Sequence, residues 1–387
     1  MNYKISHPTK VVNCEIDLPS SKSISNRLLI IQALCKENFI IENLSDSDDT
    51  KSLELALNSK TNLIDVGAAG TTFRFLTSYL STKVGEEFTL TGTDRMKERP
   101  IKELVDSLKE LDAQIEYVEE ENSPPLKIKG VKLKGKKIKI DGSVSSQFIS
   151  SILLISPTIK GGLDLEIKGD LVSKPYVLMT LKLMSEFGIN WDWTENKIKI
   201  VEQNYLSKNY KVESDWSAAT FWFQIASLSE NCNIKLNGLD KNSIQGDKKV
   251  RNFFKNLGVE SEFVNNQLIL TKIPVGTFPE KVDLIENPDV YQSLKCTLFS
   301  KGVTTEISGV QTLKDKETNR ISAVENELKK LHQSKIIETY NDHRMAMSFA
   351  PLCLTFGELQ INNPEVVSKS YPNFWEDLKK GGFKISF

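Results

Sequence analysis

Along this chain one pattern keeps returning. An amphipathic helix ends in a Leu/Phe-Gly-like step, and an alternating strand follows. It is clear in SLKELDAQIEY (107–117), LMSEFGINWDW (183–193) and FFKNLGVESEF (253–263). It returns more loosely in ELKKLHQSKIIE (327–338) and DLKKGGFKISF (377–387). A glycine after a helix supplies the left-handed C-cap, and period-two alternation reads as a half-exposed strand. Counted between Leu111, Phe187, Leu257 and Leu331, the first four copies lie 76, 70 and 74 residues apart. Such self-similarity predicts a repeated α/β unit rather than one doubly wound sheet.

A second pattern lies between these copies. Loops rich in Ser, Gly, Lys and Arg run straight into apolar helical stretches. LPSSKSISNRLLI (18–30) places Lys22, Ser23 and Arg27 at the mouth of a helix. VGAAGTTFRFLTSYL (66–80) does the same with Gly67, Gly70, Thr71 and Arg74. It is not a Walker loop, because no Lys-Ser/Thr follows the glycines, and the glycine spacing does not suit a dinucleotide fingerprint. GTDRMKERPIKELV (92–105) sets Arg95, Lys97 and Arg99 before Pro100. DGSVSSQFISSILL (141–154) offers Ser145, Ser146 and Gln147, and GDLVSKPYVL (169–178) offers Ser173, Lys174 and Tyr176. Free N–H groups and the helix dipole make each such mouth attractive to anions, although a Ser before a helix can also be a simple N-cap. Five of them point to a small, multiply anionic ligand, or to two.

Composition sharpens this reading. The 387 residues suit two domains. Charge is balanced, 50 Lys+Arg against 51 Asp+Glu, which weighs against a dedicated nucleic-acid binder. Of the 50 basic residues seven are arginine (Arg27, Arg74, Arg95, Arg99, Arg251, Arg320, Arg344), so 43 are lysine. In a chain that defaults to lysine, an arginine earns its place by geometry: its planar fork grips carboxylates and phosphates. Five scattered cysteines with no CxxC pair suggest neither a disulfide framework nor a zinc site. The polar MNYKISHPTK opening has no apolar stretch of the secretory type, and no apolar run has the length of a membrane span. The expectation is a soluble, cytoplasmic protein.

The second half adds acids. ENPDVYQSL carries Asp289, LKDKETNRISAVENELKKL (313–331) carries Lys316, Glu317 and Arg320, and YNDHRMAM (340–347) sets Asp342, His343 and Arg344 side by side. Acids poised among cations suit acid–base chemistry on an anionic substrate, and equally a structural ion-pair network.

The order of these motifs resembles the 5-enolpyruvylshikimate-3-phosphate synthases, the enolpyruvyl transferases of the shikimate pathway. The resemblance rests on KSISNR, GAAGTTFR, RMKERP, GSVSSQF, VSKPY, KETNR, NDHRMAM and a late SKSYPNF, and covers nearly the whole chain. It implies an α/β (α+β) protein of two inside-out barrel domains, each of three βαβαββ units. One domain would be 20–213 and the other 1–19 with 214–387, with the active site in the interdomain cleft. It implies that phosphoenolpyruvate and shikimate 3-phosphate give the 5-enolpyruvyl ether and phosphate, with no metal or organic cofactor, in a monomer.

By the same resemblance, Ser145, Ser146 and Ser173 would hold the phosphate of shikimate 3-phosphate. Lys22 would lie beside that ligand, Ser23 and Arg27 would hold its carboxylate, and Gln147 and Tyr176 would pack along its ring. Lys316 and Asp289 would reach its hydroxyls. Lys22, Gly70, Thr71, Arg95 and Gln147 would surround the phosphate of phosphoenolpyruvate, and Arg320, Arg344 and Lys369 its carboxylate. Asp289 and Glu317 would share the proton transfers, with Lys22 and His343 assisting. Ala68, Phe75 and Thr312 depart from residues common in relatives and stand outside the implied site. Open space at Gly70 implies inhibition by glyphosate. The rivals are the sister enzymes acting on UDP-N-acetylglucosamine, whose reactive cysteine is absent from TGTDRMKERP, and a non-catalytic anion binder, for which Asp289 and Glu317 would be superfluous.

Overall fold

The computed structural model describes residues 1–387. The chain divides into two compact units: Met1–Ser21 with Glu213–Phe387, and Lys22–Val212. The first is called the discontinuous unit below, the second the inserted unit.

All five helix-to-strand boundaries read from the sequence are present. Lys102–Glu110 leads to Gln114–Tyr117, Lys174–Glu186 to Trp191–Thr194, and Val250–Lys255 to Val259–Val264. Arg320–Lys330 leads to Ile336–Ile337, and Phe374–Lys380 to Lys384–Ser386. In four of the five copies the turn between helix and strand uses a left-handed residue. Gly188 (φ +81°), Gly258 (φ +90°) and Gly382 (φ +89°) supply it, and Asp112 (φ +70°) stands in where the first copy lacks glycine.

The inserted unit holds two four-stranded sheets. One runs Leu63–Asp65, Glu87–Thr91, Leu126–Lys129, Gln114–Tyr117 across the sheet; the other runs Lys137–Asp141, Leu163–Lys168, Lys197–Ile200, Trp191–Thr194. In both, the first two strands are parallel and joined through a helix, and the last two form an antiparallel hairpin. The chain order is βαβαββ each time. A third, smaller sheet is a parallel pair, Ile41–Glu42 with Tyr210–Lys211.

The discontinuous unit repeats the design. Val11–Asp17 pairs in parallel with Asn231–Asn237, which pairs antiparallel with Gln267–Lys272, and that strand in turn pairs antiparallel with Val259–Val264. Ile336–Ile337 pairs in parallel with Leu359–Asn362, and the N-terminal strand Asn2–Ser6 fits between that strand and Lys384–Ser386. Lys281–Asp283 and Glu306–Ser308 form its parallel pair. Each unit thus has two four-stranded sheets of one strand order and one two-stranded sheet, although in the discontinuous unit one four-stranded sheet draws its third strand, Asn2–Ser6, from the start of the chain.

Strands alternate, as Lys137–Asp141 does with only Ile138 and Ile140 buried among its five residues. Several helices do not. Gly70–Ser81, Ser146–Ile155 and Trp216–Leu228 are buried on almost every face. Apart from Arg74, their polar positions are mostly Ser, Thr and Gln, which can bond locally, rather than Lys or Glu, which would demand water. These helices pack on one another, Lys22–Leu34, Gly70–Ser81, Ser146–Ile155 and Lys174–Glu186 in the inserted unit. Trp216–Leu228, Tyr291–Ser300 and His343–Phe349 do so in the discontinuous unit. No helix is long and apolar enough to cross a membrane.

Candidate active site

In the inserted unit the helix mouths singled out in the sequence come together. Lys22 opens Lys22–Leu34, Gly70 opens Gly70–Ser81, Ser145 caps Ser146–Ile155, and Ser173 precedes Lys174–Glu186. Cross-links join residues at similar heights above these starts. Arg27 Nε donates to Thr180 Oγ1 (2.7 Å) and Arg27 Nη2 to Ser150 Oγ (3.2 Å). Gln147 Nε2 donates to Thr71 Oγ1 (3.1 Å), and Ser151 Oγ to Ser78 Oγ (2.6 Å). Helices tied in this way aim their positive ends at one region.

The charge there is unusual. Arg27 is 2 % exposed, yet its other two bonds go to the carbonyls of Ser23 (2.8 Å) and Tyr176 (3.3 Å). All four partners are uncharged. Burial pushes the guanidinium down to about 10, against a smaller upward pull from Tyr176. It is still charged at neutral pH. A buried cation with only neutral partners is costly until an anion arrives. Lys22, by contrast, has a carboxylate at hand: Nζ lies 3.0 Å from Asp49 Oδ2.

Ser145 Oγ accepts from Gln147 N (3.3 Å) as a true N-cap, and Ser146 is buried behind it. Ser173 sits in the left-handed region (φ +57°) with its carbonyl taken by Tyr176 N (2.9 Å). Arg95 is half-exposed and pairs with Glu98 (2.7 Å). The guanidinia packed on Gly70 belong to two residues absent from the set expected by sequence. A methyl group on Gly70 would meet Arg99 Nη1, and would meet Arg74 Nη1 at 2.8 Å. Both arginines are buried. Their sparse use in the chain was the available signal. The sequence did not show which of the neighbouring arginines folds back onto the glycine.

In the discontinuous unit the acids and cations form one cluster around buried Arg320, the first residue of Arg320–Lys330. Asn319 caps that helix through Ser322 N (3.3 Å). Arg320 Nε donates to Asp342 Oδ2 (2.7 Å) and Nη2 to Asp342 Oδ1 (3.3 Å). Nη1 donates to Asp289 Oδ1 (3.0 Å), and Nη2 also to Glu317 Oε2 (2.8 Å). Lys369 Nζ reaches Glu317 Oε1 (2.9 Å). Arg344 Nη1 donates to the Asp289 carbonyl (3.1 Å), and its Nη2 lies 3.5 Å from Asp289 Oδ2.

Asp342 has a second duty as N-cap of His343–Phe349, accepting from Arg344 N (2.8 Å). His343 is buried beside it, Nδ1 being 3.7 Å from Asp342 Oδ1. Burial by itself would raise the carboxyl of Asp289, but Arg344, Lys316 and Arg320 overcome it and hold the group well below the ordinary carboxylate range. Burial would likewise lower Arg320, and Asp342, Glu317 and Asp289 drive it up instead. Lys316, Arg320, Arg344 and Lys369 face three carboxylates, Asp289, Glu317 and Asp342. The cluster carries one excess positive charge, which suits a small carboxylate ligand. Arg320 is more committed to the protein's own acids than the sequence suggested.

Comparison with known proteins agrees with this chemistry. The family model for EPSP synthase (3-phosphoshikimate 1-carboxyvinyltransferase) matches residues 6–59 and 53–378. The chain is 45% identical over 409 aligned positions to the 3-phosphoshikimate 1-carboxyvinyltransferase of Bacteroides fragilis strain YCH46, covering 100% of this chain and 99% of that protein. It is 35% identical over 428 positions to the enzyme of the same name from Psychromonas ingrahamii, covering 98% and 99%. Its fold matches the EPSP synthase of Acinetobacter baumannii with a TM-score of 0.79 at 20% identity over the whole of both chains. With a family model spanning most of its length and full-length relatives this similar, the chain belongs to the EPSP synthase family.

Proposed function

We propose that this protein transfers the enolpyruvyl group of phosphoenolpyruvate to the 5-hydroxyl of shikimate 3-phosphate, giving 5-enolpyruvylshikimate 3-phosphate and phosphate in aromatic amino acid biosynthesis. The observation that carries the reading is the sharing of buried Arg320 by two carboxylates, Asp289 and Glu317, beside Arg344 and Lys369. A passive anion trap gains nothing from acids at that position. Proton transfer to and from a bound anion requires them.

The proposed division of labour follows the chemistry of each unit. In the inserted unit Ser145, Ser146 and Ser173 take the phosphate of shikimate 3-phosphate, Ser23 and Arg27 its carboxylate, and Tyr176 its ring. The neutral surroundings of Arg27 support this, since a carboxylate would supply the missing counter-charge. Lys22, Gly70, Thr71, Arg95 and Gln147 take the phosphate of phosphoenolpyruvate, at the mouth of Gly70–Ser81. In the discontinuous unit Arg344 and Lys369, with Arg320, take its carboxylate, and Lys316 reaches the hydroxyls of the acceptor.

The 5-hydroxyl oxygen bonds to C2 of phosphoenolpyruvate while C3 gains a proton. Loss of a C3 proton and breakage of the C2–O bond to phosphate then restore the double bond. Asp289 and Glu317 share the proton work, one receiving the hydroxyl proton and the other exchanging a proton with C3. His343 and Lys22 stand by the departing phosphate. The cations stabilise charge as it builds. We further propose an inside-out barrel arrangement in each unit, a cytoplasmic monomer, and inhibition by glyphosate as a competitor of phosphoenolpyruvate.

The test is phosphate release from phosphoenolpyruvate by purified protein, with shikimate 3-phosphate and separately with UDP-N-acetylglucosamine. Release only with the shikimate ester is the expected result. Release only with the sugar nucleotide would move the activity to the sister reaction, and release with neither from folded protein would leave an anion binder.

A further inference from the structure

Arg74 lies on Gly70–Ser81 and Gln147 on Ser146–Ile155, and Arg74 Nη1 donates to Gln147 Oε1 at 3.0 Å. The other end of the amide, Nε2, donates to Thr71 Oγ1 at 3.1 Å. We infer that Arg74 is a positioning residue that fixes which way the Gln147 amide faces, so that its N–H end is presented to the phosphate of phosphoenolpyruvate. This rests on the proposed role of Gln147 as a ligand of that phosphate.

The argument is one of donors and acceptors. A free primary amide can turn over at little cost, exchanging its oxygen and its NH2 group. A phosphate offers only acceptors, so the wrong face would set oxygen against oxygen. A guanidinium offers only donors. Placed against one end of the amide, it leaves Oε1 as the only atom that end can be. Nε2 then faces Thr71 and keeps a second N–H for the ligand.

Arg74 is itself held firmly. Its guanidinium carbon sits 5.4 Å from the centroid of the Phe148 ring, on the residue next to Gln147. Its carbonyl accepts from Ser151 Oγ at 2.6 Å, and Ser151 also reaches Ser78. The residue is 7 % exposed. Two helices are thereby locked in register around one amide.

The test is a double-mutant cycle with Arg74→Met and Gln147→Ala, read as KM for phosphoenolpyruvate and kcat. Methionine keeps an unbranched apolar stem over Phe148 and removes every donor. Each single variant is expected to raise KM for phosphoenolpyruvate roughly tenfold with kcat changed less than about threefold. The double variant is expected to resemble Gln147→Ala within about twofold, because Arg74 acts through that amide. Arg74→Lys, which keeps one donor in reach, is expected to recover most of the loss.

Multiplying effects in the double variant, or no effect of Arg74→Met where Gln147→Ala raises KM, would overturn the inference and leave the ligand role of Gln147 standing. No change in KM on Gln147→Ala would remove that role, and the inference with it. Should Arg74→Met not fold, the same cycle run with Arg74→Gln, which loses the all-donor fork, decides by the same criterion of non-additivity.

Discussion

Arg320 and Asp342 meet at two points in the interior, Nε to Oδ2 at 2.7 Å and Nη2 to Oδ1 at 3.3 Å. Both side chains are almost wholly out of water. Removing Asp342 leaves Asp289 and Glu317 to balance the guanidinium but takes the acceptor from its buried Nε, at a cost of about 1–3 kcal/mol. Asp342 also caps His343–Phe349, which adds about 1 kcal/mol. Asp342→Ala is therefore expected to lower the urea midpoint strongly, and Asp342→Asn, which can still cap, less so. Equal midpoints for both variants and the parent would refute this account of the cluster.

Asp289 gives a prediction about pH. Its folded-state carboxyl is held below the ordinary value of 3.8 by Arg344, Lys316 and Arg320. A group shifted down contributes stability above its unfolded pKa, and loses that contribution as pH falls through the folded value. Between pH 8 and about 4 the Asp289 contribution should therefore stay constant. Any acid limb of kcat/KM in that range should persist in position in Asp289→Glu, while Asp289→Asn should lose about 10²-fold or more in kcat. An acid limb that moves with substitution at Asp289 would show that it titrates in the working range.

Arg27 should show its value only when ligand is present. Saturating shikimate 3-phosphate is expected to raise the melting temperature of the parent. In Arg27→Lys the planar fork is lost, and a charge-assisted bond is worth about 1.5–3 kcal/mol. Affinity from thermal shift or calorimetry should fall by about 10- to 100-fold. Unchanged affinity would place the carboxylate elsewhere.

Gly70 tests the phosphate end. A Cβ there would press on Arg99 Nη1 and Arg74 Nη1. Both belong to flexible side chains, so the fold should survive, but the guanidinia must shift away from the helix mouth. Gly70→Ala is expected to raise KM for phosphoenolpyruvate about tenfold while KM for shikimate 3-phosphate changes little. A normal KM would mean that neither arginine contributes where it stands.

Much of this was legible along the chain because it is local. Five helix-to-strand steps could be read from periodicity, three of them with a left-handed glycine at Gly188, Gly258 or Gly382. The helix mouths at Lys22, Gly70 and Ser145 could be read from Ser, Gly and cations before apolar runs. What failed to appear was long-range. That Val11–Asp17 pairs with Asn231–Asn237, beyond the whole inserted unit, has no signature in either segment. The two-stranded sheets were invisible too, because strands as short as Ile41–Glu42 leave no alternation to detect.

The site divides in the same way. The sequence by itself determined the supply of chemistry: a few arginines in a lysine-rich chain, each near a helix start, with acids gathered in the second half. Tertiary structure alone decided the pairing. It turned Arg74 and Arg99 onto Gly70 and left Arg95 with Glu98. It surrounded Arg320 with Asp342, Asp289 and Glu317, and gave Arg27 only neutral partners. The reason is physical. Periodicity records which face of an element is buried, whereas a long side chain's partner depends on where its flexible end arrives after several elements have packed.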